Sequence, residues 1–191
     1  MVRQFKSAVI FLAIFMVLTG IVYPLVVTGI AQVAFHHQAN GSLIKSSDGK
    51  YVGSELIGQP FDTAGYFWSR LSDTTSFPYN AASSSGSNYG PLNPALLDAV
   101  QNRIKALKEA DPNNTRPIPV DLATYSASGL DPHISIAAAL YQVPRVARER
   151  GLSETQVLAL VNRFTQGRQF GIFGEPRINV LLLNQALDQM K

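Results

Sequence analysis

The chain has 191 residues, a length that fits one domain with at most a small appendage, and only 15% of them are charged, where a soluble domain carries about 25%. Of its 16 Lys and Arg, Arg3 and Lys6 stand at the N-terminus, which leaves 14 basic against 13 acidic side chains in the rest and argues against a nucleic-acid partner. With no cysteine, disulfide frameworks, thiolate catalysis and Cys-ligated metal sites are excluded together.

The missing charge is explained at the start of the chain. Residues 8–31 form a run of 24 in which only Thr19, Gly20, Pro24, Thr28 and Gly29 fall outside the hydrophobic set. As a helix rising ~1.5 Å per residue it measures roughly 36 Å, enough to cross a hydrocarbon core of ~30 Å. A cleaved secretory signal competes with this reading, with Ala8 to Leu18 as its apolar core and Gly29-Ile30-Ala31 as its cleavage site. The apolar character continues through Ile21, Val22, Leu25 and Ile30, which favours a retained transmembrane helix. Its small residues permit either a bent lone helix or close approach of another helix. Arg3 and Lys6 precede the run and no Lys or Arg follows before Lys45, so the positive-inside rule keeps residues 1–7 in the cytoplasm and exports residues 32–191. The localisation expected is the inner membrane, single-pass.

After the anchor, the stretch from Gln38 to Pro94 is rich in Gly, Ser, Asn and aromatic residues, and it shows no helical periodicity. Gly41–Ile44 and Tyr51–Ile57, separated by Ser46-Ser47-Asp48-Gly49, predict a hairpin. Residues 81–90 are a loop by composition. From Asn93 the texture is helical. Asn93-Pro94 opens a helix with Leu97, Val100, Ile104 and Leu107 at helical spacing, and Asp111-Pro112 stops it. Residues 117–125 read as extended. Ser135 caps a helix that Pro144 bends and Gly151 ends. Ser153 with Gln156 makes a capping box for a helix with Val157, Leu160, Val161 and Phe164 on one face, and a last helix runs from Val180 to Gln189. The fold class expected is α+β: one membrane helix, then one domain with a small β-hairpin or sheet region and several packed helices.

Each enzyme template can be checked against these residues. Ser83 to Gly90 has no Lys for a phosphate-binding loop, and no Gly-x-Ser-x-Gly elbow occurs. Ser126, Asp131 and His133 could form a hydrolytic triad, but Asp-Pro-His-Ile-Ser reads more readily as the turn and cap before a helix. His36-His37 could hold a metal, although adjacent histidines without a partner motif are more often interface residues. Paired carboxylates have no local motif. No catalytic residue and no metal ligand is assigned. The segments Gly58–Phe61, Gly65–Arg70 and Pro78–Asn80 read as loop punctuation that holds a core, with a docking surface of Tyr, Trp and Arg as the alternative.

A resemblance is carried by Thr19–Leu25, Gln38–Leu43, Gly53–Gln59, Tyr66-Phe67-Trp68-Ser69-Arg70, Gly90–Pro94, Ser126 through Ser135, and Asn179-Val180-Leu181, in this order over nearly the whole chain. The sequence resembles the C-subunit family of the Kdp potassium-transporting P-type ATPase of bacteria. It departs from the family in having Leu71 where a proline usually precedes Ser72. The resemblance implies a non-catalytic accessory subunit, with potassium taken up by a channel-like A subunit and ATP hydrolysed by a B subunit. The C subunit and a small F peptide hold this complex together. It also implies one of two roles: a catalytic chaperone that raises the B subunit's apparent ATP affinity, or a cap over the potassium entrance of the A subunit. Under it, Ser126, Ser128, Gly129 and Asp131 are weak candidates for a nucleotide loop, weighed against a plain helix-preceding turn. ATP and potassium would be handled by the complex. The alternatives from other classes are a membrane-anchored envelope hydrolase using His133 and a secreted binding protein.

Overall fold

The computed structural model describes residues 1–46 and 48–190, so Ser47 of the expected hairpin loop lies outside the described residues. The chain divides into two compact units, Met1–Leu43 and Ile44–Lys191.

The first unit is built on one 33-residue helix, Val2–Ala34, apolar and long enough to cross a membrane. It consists of α1 (Val2–Val17), a π-turn over Leu18–Val22 and α2 (Tyr23–Ala34), and neither α-helical part buries a side chain. The π-turn has a local cause. Pro24 has no N–H to donate and its ring crowds the preceding turn, so the chain widens just before it. Thr19 Oγ1 donates back to the Phe15 carbonyl at 2.7 Å in the same region. A short helix, α3 (His36–Ala39), follows.

The second unit opens with the expected hairpin, β1 (Leu43–Lys45) paired with β2 (Tyr51–Ser54). Its helices are α4 (Pro94–Ala110), α5 (Val120–Ala123), α6 (Ile136–Arg150), α7 (Glu154–Phe164) and α8 (Val180–Asp188). The local start and stop signals act as read. Asn93 accepts from Ala95 N, Ser135 from Ala138 N, and Ser153 forms its capping box with Gln156. Gly151 ends α6 at φ +66°, a left-handed conformation that suits glycine. Pro144 lies inside α6, which continues to Arg150 because neighbours take up the carbonyls it disturbs. The Leu140 carbonyl accepts from Arg116 Nη1 at 3.2 Å and the Tyr141 carbonyl from Asn114 Nδ2 at 2.9 Å.

Two segments differ from expectation. Within residues 117–125, expected extended, α5 forms after Pro119, whose φ of −61° and ψ of 139° set a helix entry. The Asp-Pro-His-Ile-Ser segment does lead into a helix, but residues His133–Ser135 are themselves a strand, β3. It joins a three-stranded antiparallel sheet in the order β3-β5-β4, with β4 at Thr165–Gln166 and β5 at Arg177–Asn179. Ile134 stands opposite Ile178, and both turn into the core. The helices α6, α7 and α8 cover that face through Val146, Val157, Val161, Leu183 and Leu187.

The aromatic segment before Arg70 belongs to this core. Phe67 and Trp68 are buried, and their backbone is paired by side chains in place of a neighbouring strand. Asn184 accepts from Phe67 N and donates to Phe67 O, both at 2.9 Å. Gln142 Oε1 accepts from Trp68 N at 2.7 Å. The indole lies between two guanidiniums, Arg103 at 4.8 Å and Arg145 at 4.9 Å from the ring centre. Burial pushes Arg145 down to about 10, still cationic at neutral pH.

Candidate functional site

The polar residues singled out in the sequence meet where the irregular half of the domain crosses β3. Asp131 is the centre. Its Oδ2 lies 3.1 Å from Arg70 Nη1, and its Oδ1 accepts from His133 N at 3.0 Å and stands 3.1 Å from His133 Nδ1. Arg70 Nη2 donates to the Tyr125 carbonyl at 2.9 Å, and Leu71 pairs in parallel with Tyr125, its carbonyl accepting from Ser126 N at 2.8 Å. Leu71 is thereby tied to the segment at Tyr125–Ser126 through its carbonyl, an acceptor that a proline in its place would also supply.

The turn from Ser126 to Asp131 is closed by the chain itself. Gly129 N donates to Ser126 O at 3.2 Å and Leu130 N to Ser128 Oγ at 3.1 Å. Ser72 Oγ donates to the Gly129 carbonyl at 2.6 Å and accepts from Tyr79 N at 2.8 Å, while Ser84 Oγ donates to the Ser128 carbonyl at 3.0 Å. Gly129 sits at φ +68°, and a Cβ there would lie 2.5 Å from the Ser85 carbonyl oxygen. The close backbone approach that glycine allows is thus taken up by residues 72–86. Tyr79 seals the junction from below, its hydroxyl donating to the Arg70 carbonyl at 2.7 Å, and burial pushes that phenol up to about 12.

One side of the junction opens into a cleft of about 380 Å³. Arg70, Asp131 and His133 line it together with Val120, Asp121, Ser135, Glu175, Pro176 and Arg177. Asp121 is occupied, accepting from Ser135 N at 2.7 Å and from Ser135 Oγ at 3.0 Å. Of the conceivable triad, Asp131 and His133 come together, with His133 Nδ1 3.1 Å from Asp131 Oδ1. The hydroxyl does not join them: Ser126 is buried and its Oγ meets Ser128 Oγ at 3.3 Å. His36 and His37 are exposed on α3, and among the described residues no group of three His, Cys, Asp or Glu could hold a metal ion.

The surroundings of Asp131 favour its charged form. Burial raises its pKa, but the hydrogen bonds from His133 and the positive charge of Arg70 outweigh it and hold the carboxyl below its ordinary value. A group with a depressed folded pKa contributes stability that is complete above the unfolded value near ~3.9 and is lost as pH falls through the folded value. In detergent, the urea midpoint should therefore fall between pH 5 and pH 3, and Asp131→Asn should shrink that fall. An undiminished fall in the variant would show that Asp131 is not a source of the acid sensitivity.

Comparison with known proteins decides the family. A profile of the KdpC family, the K+-transporting ATPase c chain, matches residues 5–189. The potassium-transporting ATPase KdpC subunit of Methylococcus capsulatus is 58% identical over 191 residues, all of both chains. That of Herpetosiphon aurantiacus is 64% identical over 187 residues, 98% of this chain and 96% of its own. The KdpC subunit of Paraburkholderia phytofirmans is 56% identical over 191 residues. The chain belongs to the KdpC family. It is a subunit of the Kdp potassium-transporting ATPase, with other Kdp subunits as its partners.

For a KdpC chain the junction has a definite character. Sequence reasoning found Asp131 and His133 through the Asp-Pro-His spacing, and Arg70 through the aromatic segment before it. It missed Asp121, Glu175 and Arg177, which reach the cleft from α5 and from the foot of the β4–β5 ribbon. Only the clustering of Gly167, Gly171 and Gly174 around large apolar residues gave a local sign of that ribbon.

Proposed function

We propose that this KdpC chain is the non-catalytic accessory subunit of the complex, anchored by a single helix over residues 8–31. Residues 1–7 lie in the cytoplasm and residues 32–191 outside it, at the inner membrane. Its task is to hold the ATP-hydrolysing B subunit and the channel-like A subunit together with the small F peptide. The observation that carries this reading is the Asp131 junction: its polar, glycine-bearing turn makes hydrogen bonds within the chain's own loops. Ser126, Ser128, Gly129 and Asp131 accordingly serve the turn and not a nucleotide. A domain outside the cytoplasm cannot touch cytosolic ATP. Any rise in the B subunit's apparent ATP affinity is then a coupling free energy carried by contacts across the membrane, in the range of ~1–3 kcal/mol typical of such coupling.

The test is purification in detergent through a tag on this chain. A P-type ATPase and a channel-like subunit should co-elute and hydrolyse ATP in response to potassium. If neither accompanies the tag, the assembly role falls. A reporter active only outside the cytoplasm, fused after Lys191, should be active; a silent reporter would reverse the topology and restore direct nucleotide contact as an option.

A further inference from the structure

The most exposed apolar cluster of the second unit is at the end of the ribbon between β4 and β5. Phe170 is 83% exposed, Ile172 72% and Phe173 64%. Three bulky apolar side chains at one tip are expensive to hydrate, at roughly 25 cal/mol per Å² of apolar surface. The tip is not a loose loop. Gln169 and Phe173 exchange hydrogen bonds, Gln169 N to Phe173 O at 2.8 Å and Phe173 N to Gln169 O at 2.9 Å. Below them Arg168 Nη2 lies 2.8 and 2.9 Å from the two carboxylate oxygens of Glu175 across the ribbon. Phe170 adopts φ +54°, where a bulky residue rarely sits, and this turns its ring outward with Gly171 at φ +74° beside it. The backbone of the tip is thus set before any partner arrives, which lowers the ordering cost of docking.

The charge around the tip specifies the partner further. From the end of α7 to β5 there are three arginines, Arg163 in the last turn of α7, Arg168 on the ribbon and Arg177 on β5, against the single acid Glu175, which Arg168 already engages. At the foot, Val120 is 76% exposed and shares the cleft with Glu175, Pro176 and Arg177.

We propose that Phe170, Ile172 and Phe173 are an anchor that inserts into an apolar pocket with an acidic rim on another subunit of the same ATPase, with Arg163 and Arg177 facing the rim. This rests on the assembly role proposed above and names the surface that performs it. The experiment uses the full chain in its complex, with p-benzoylphenylalanine, which keeps the phenyl ring and adds a photoreactive benzoyl group at its para position, in place of Phe170. Irradiation should join this chain to another Kdp subunit. Crosslinks to lipid alone, to a second copy of this chain, or to nothing would each overturn the anchor. A second variant, Phe170→Ser with Phe173→Ser, should retain at least tenfold less ATPase subunit through the tag with an unchanged melting temperature. Full retention would also overturn it. If the unaltered chain captures no ATPase subunit at all, the assembly role fails first, so the two failures are distinguishable.

Discussion

Asn184→Leu should destabilise the domain by about 2–5 kcal/mol, although it replaces one side chain by another of similar shape. Asn184 is almost fully buried and makes both backbone hydrogen bonds of Phe67, accepting from its N–H and donating to its carbonyl. Leucine supplies neither. Both Phe67 groups would then be buried without a partner, each at the desolvation cost of roughly 1–3 kcal/mol, with nothing gained that asparagine's packing did not already give. Against a typical total of ~5–15 kcal/mol this is a large fraction. The chain has one tryptophan, Trp68, adjacent to the affected residue and clamped by Gln142 and the two arginines. Its emission therefore reports the event directly. In detergent, the variant should unfold at a lower urea concentration, with the tryptophan signal shifting to longer wavelength along the same transition. A midpoint unchanged to within ~0.5 kcal/mol would mean that Phe67 finds other partners.

The same segment shows where sequence reasoning reaches and where it stops. The helices α4, α6 and α7 announce themselves because their signals are local: Asn93-Pro94, Ser135, the Ser153 and Gln156 box, and Gly151 each act within one turn of the residues they govern, whereas the four-residue α5 lies in a segment that reads as extended. The apolar helix is legible for the same reason, since its length and composition are contiguous. The β3-β5-β4 sheet is not, because strands of two and three residues carry no periodicity of their own. Their register exists only once Ile134 and Ile178 meet across a long stretch of chain. The aromatic segment lies between these cases. Its residues were visible, but whether they faced solvent or core depended on Asn184, 117 positions further along. At the junction, the contact between Asp131 and His133 spans two positions and could be read from the spacing, whereas Arg70 reaches Asp131 from 61 positions away.

The turn at Gly129 permits a sharper test, because the domain contains its own control. Gly129 and Gly151 have almost the same φ, +68° and +66°, so alanine meets the same conformational penalty at either position, on the order of 1–2 kcal/mol. They differ only in surroundings. A Cβ at Gly151 meets nothing within 4 Å, while at Gly129 it lies 2.5 Å from both the Ser85 carbonyl oxygen and the Thr74 methyl. The Ser85 oxygen belongs to the backbone, and a Cβ added at Gly86 would likewise lie 2.5 Å from the Ala127 carbonyl oxygen, so the two segments approach each other closely at both glycines. Gly151→Ala should cost about 1 kcal/mol and Gly129→Ala about 1–3 kcal/mol more, the excess being the repulsion forced on a packed junction. Both follow from urea midpoints of the full chain in detergent. The pair also decides what the glycine is for. Where it serves packing, Gly129→Ala lowers the midpoint and leaves the potassium-dependent ATP hydrolysis of whatever complex still assembles at its original rate. Were the midpoint instead unchanged and hydrolysis lost, the turn would be holding a ligand, and its assignment to the fold would be wrong.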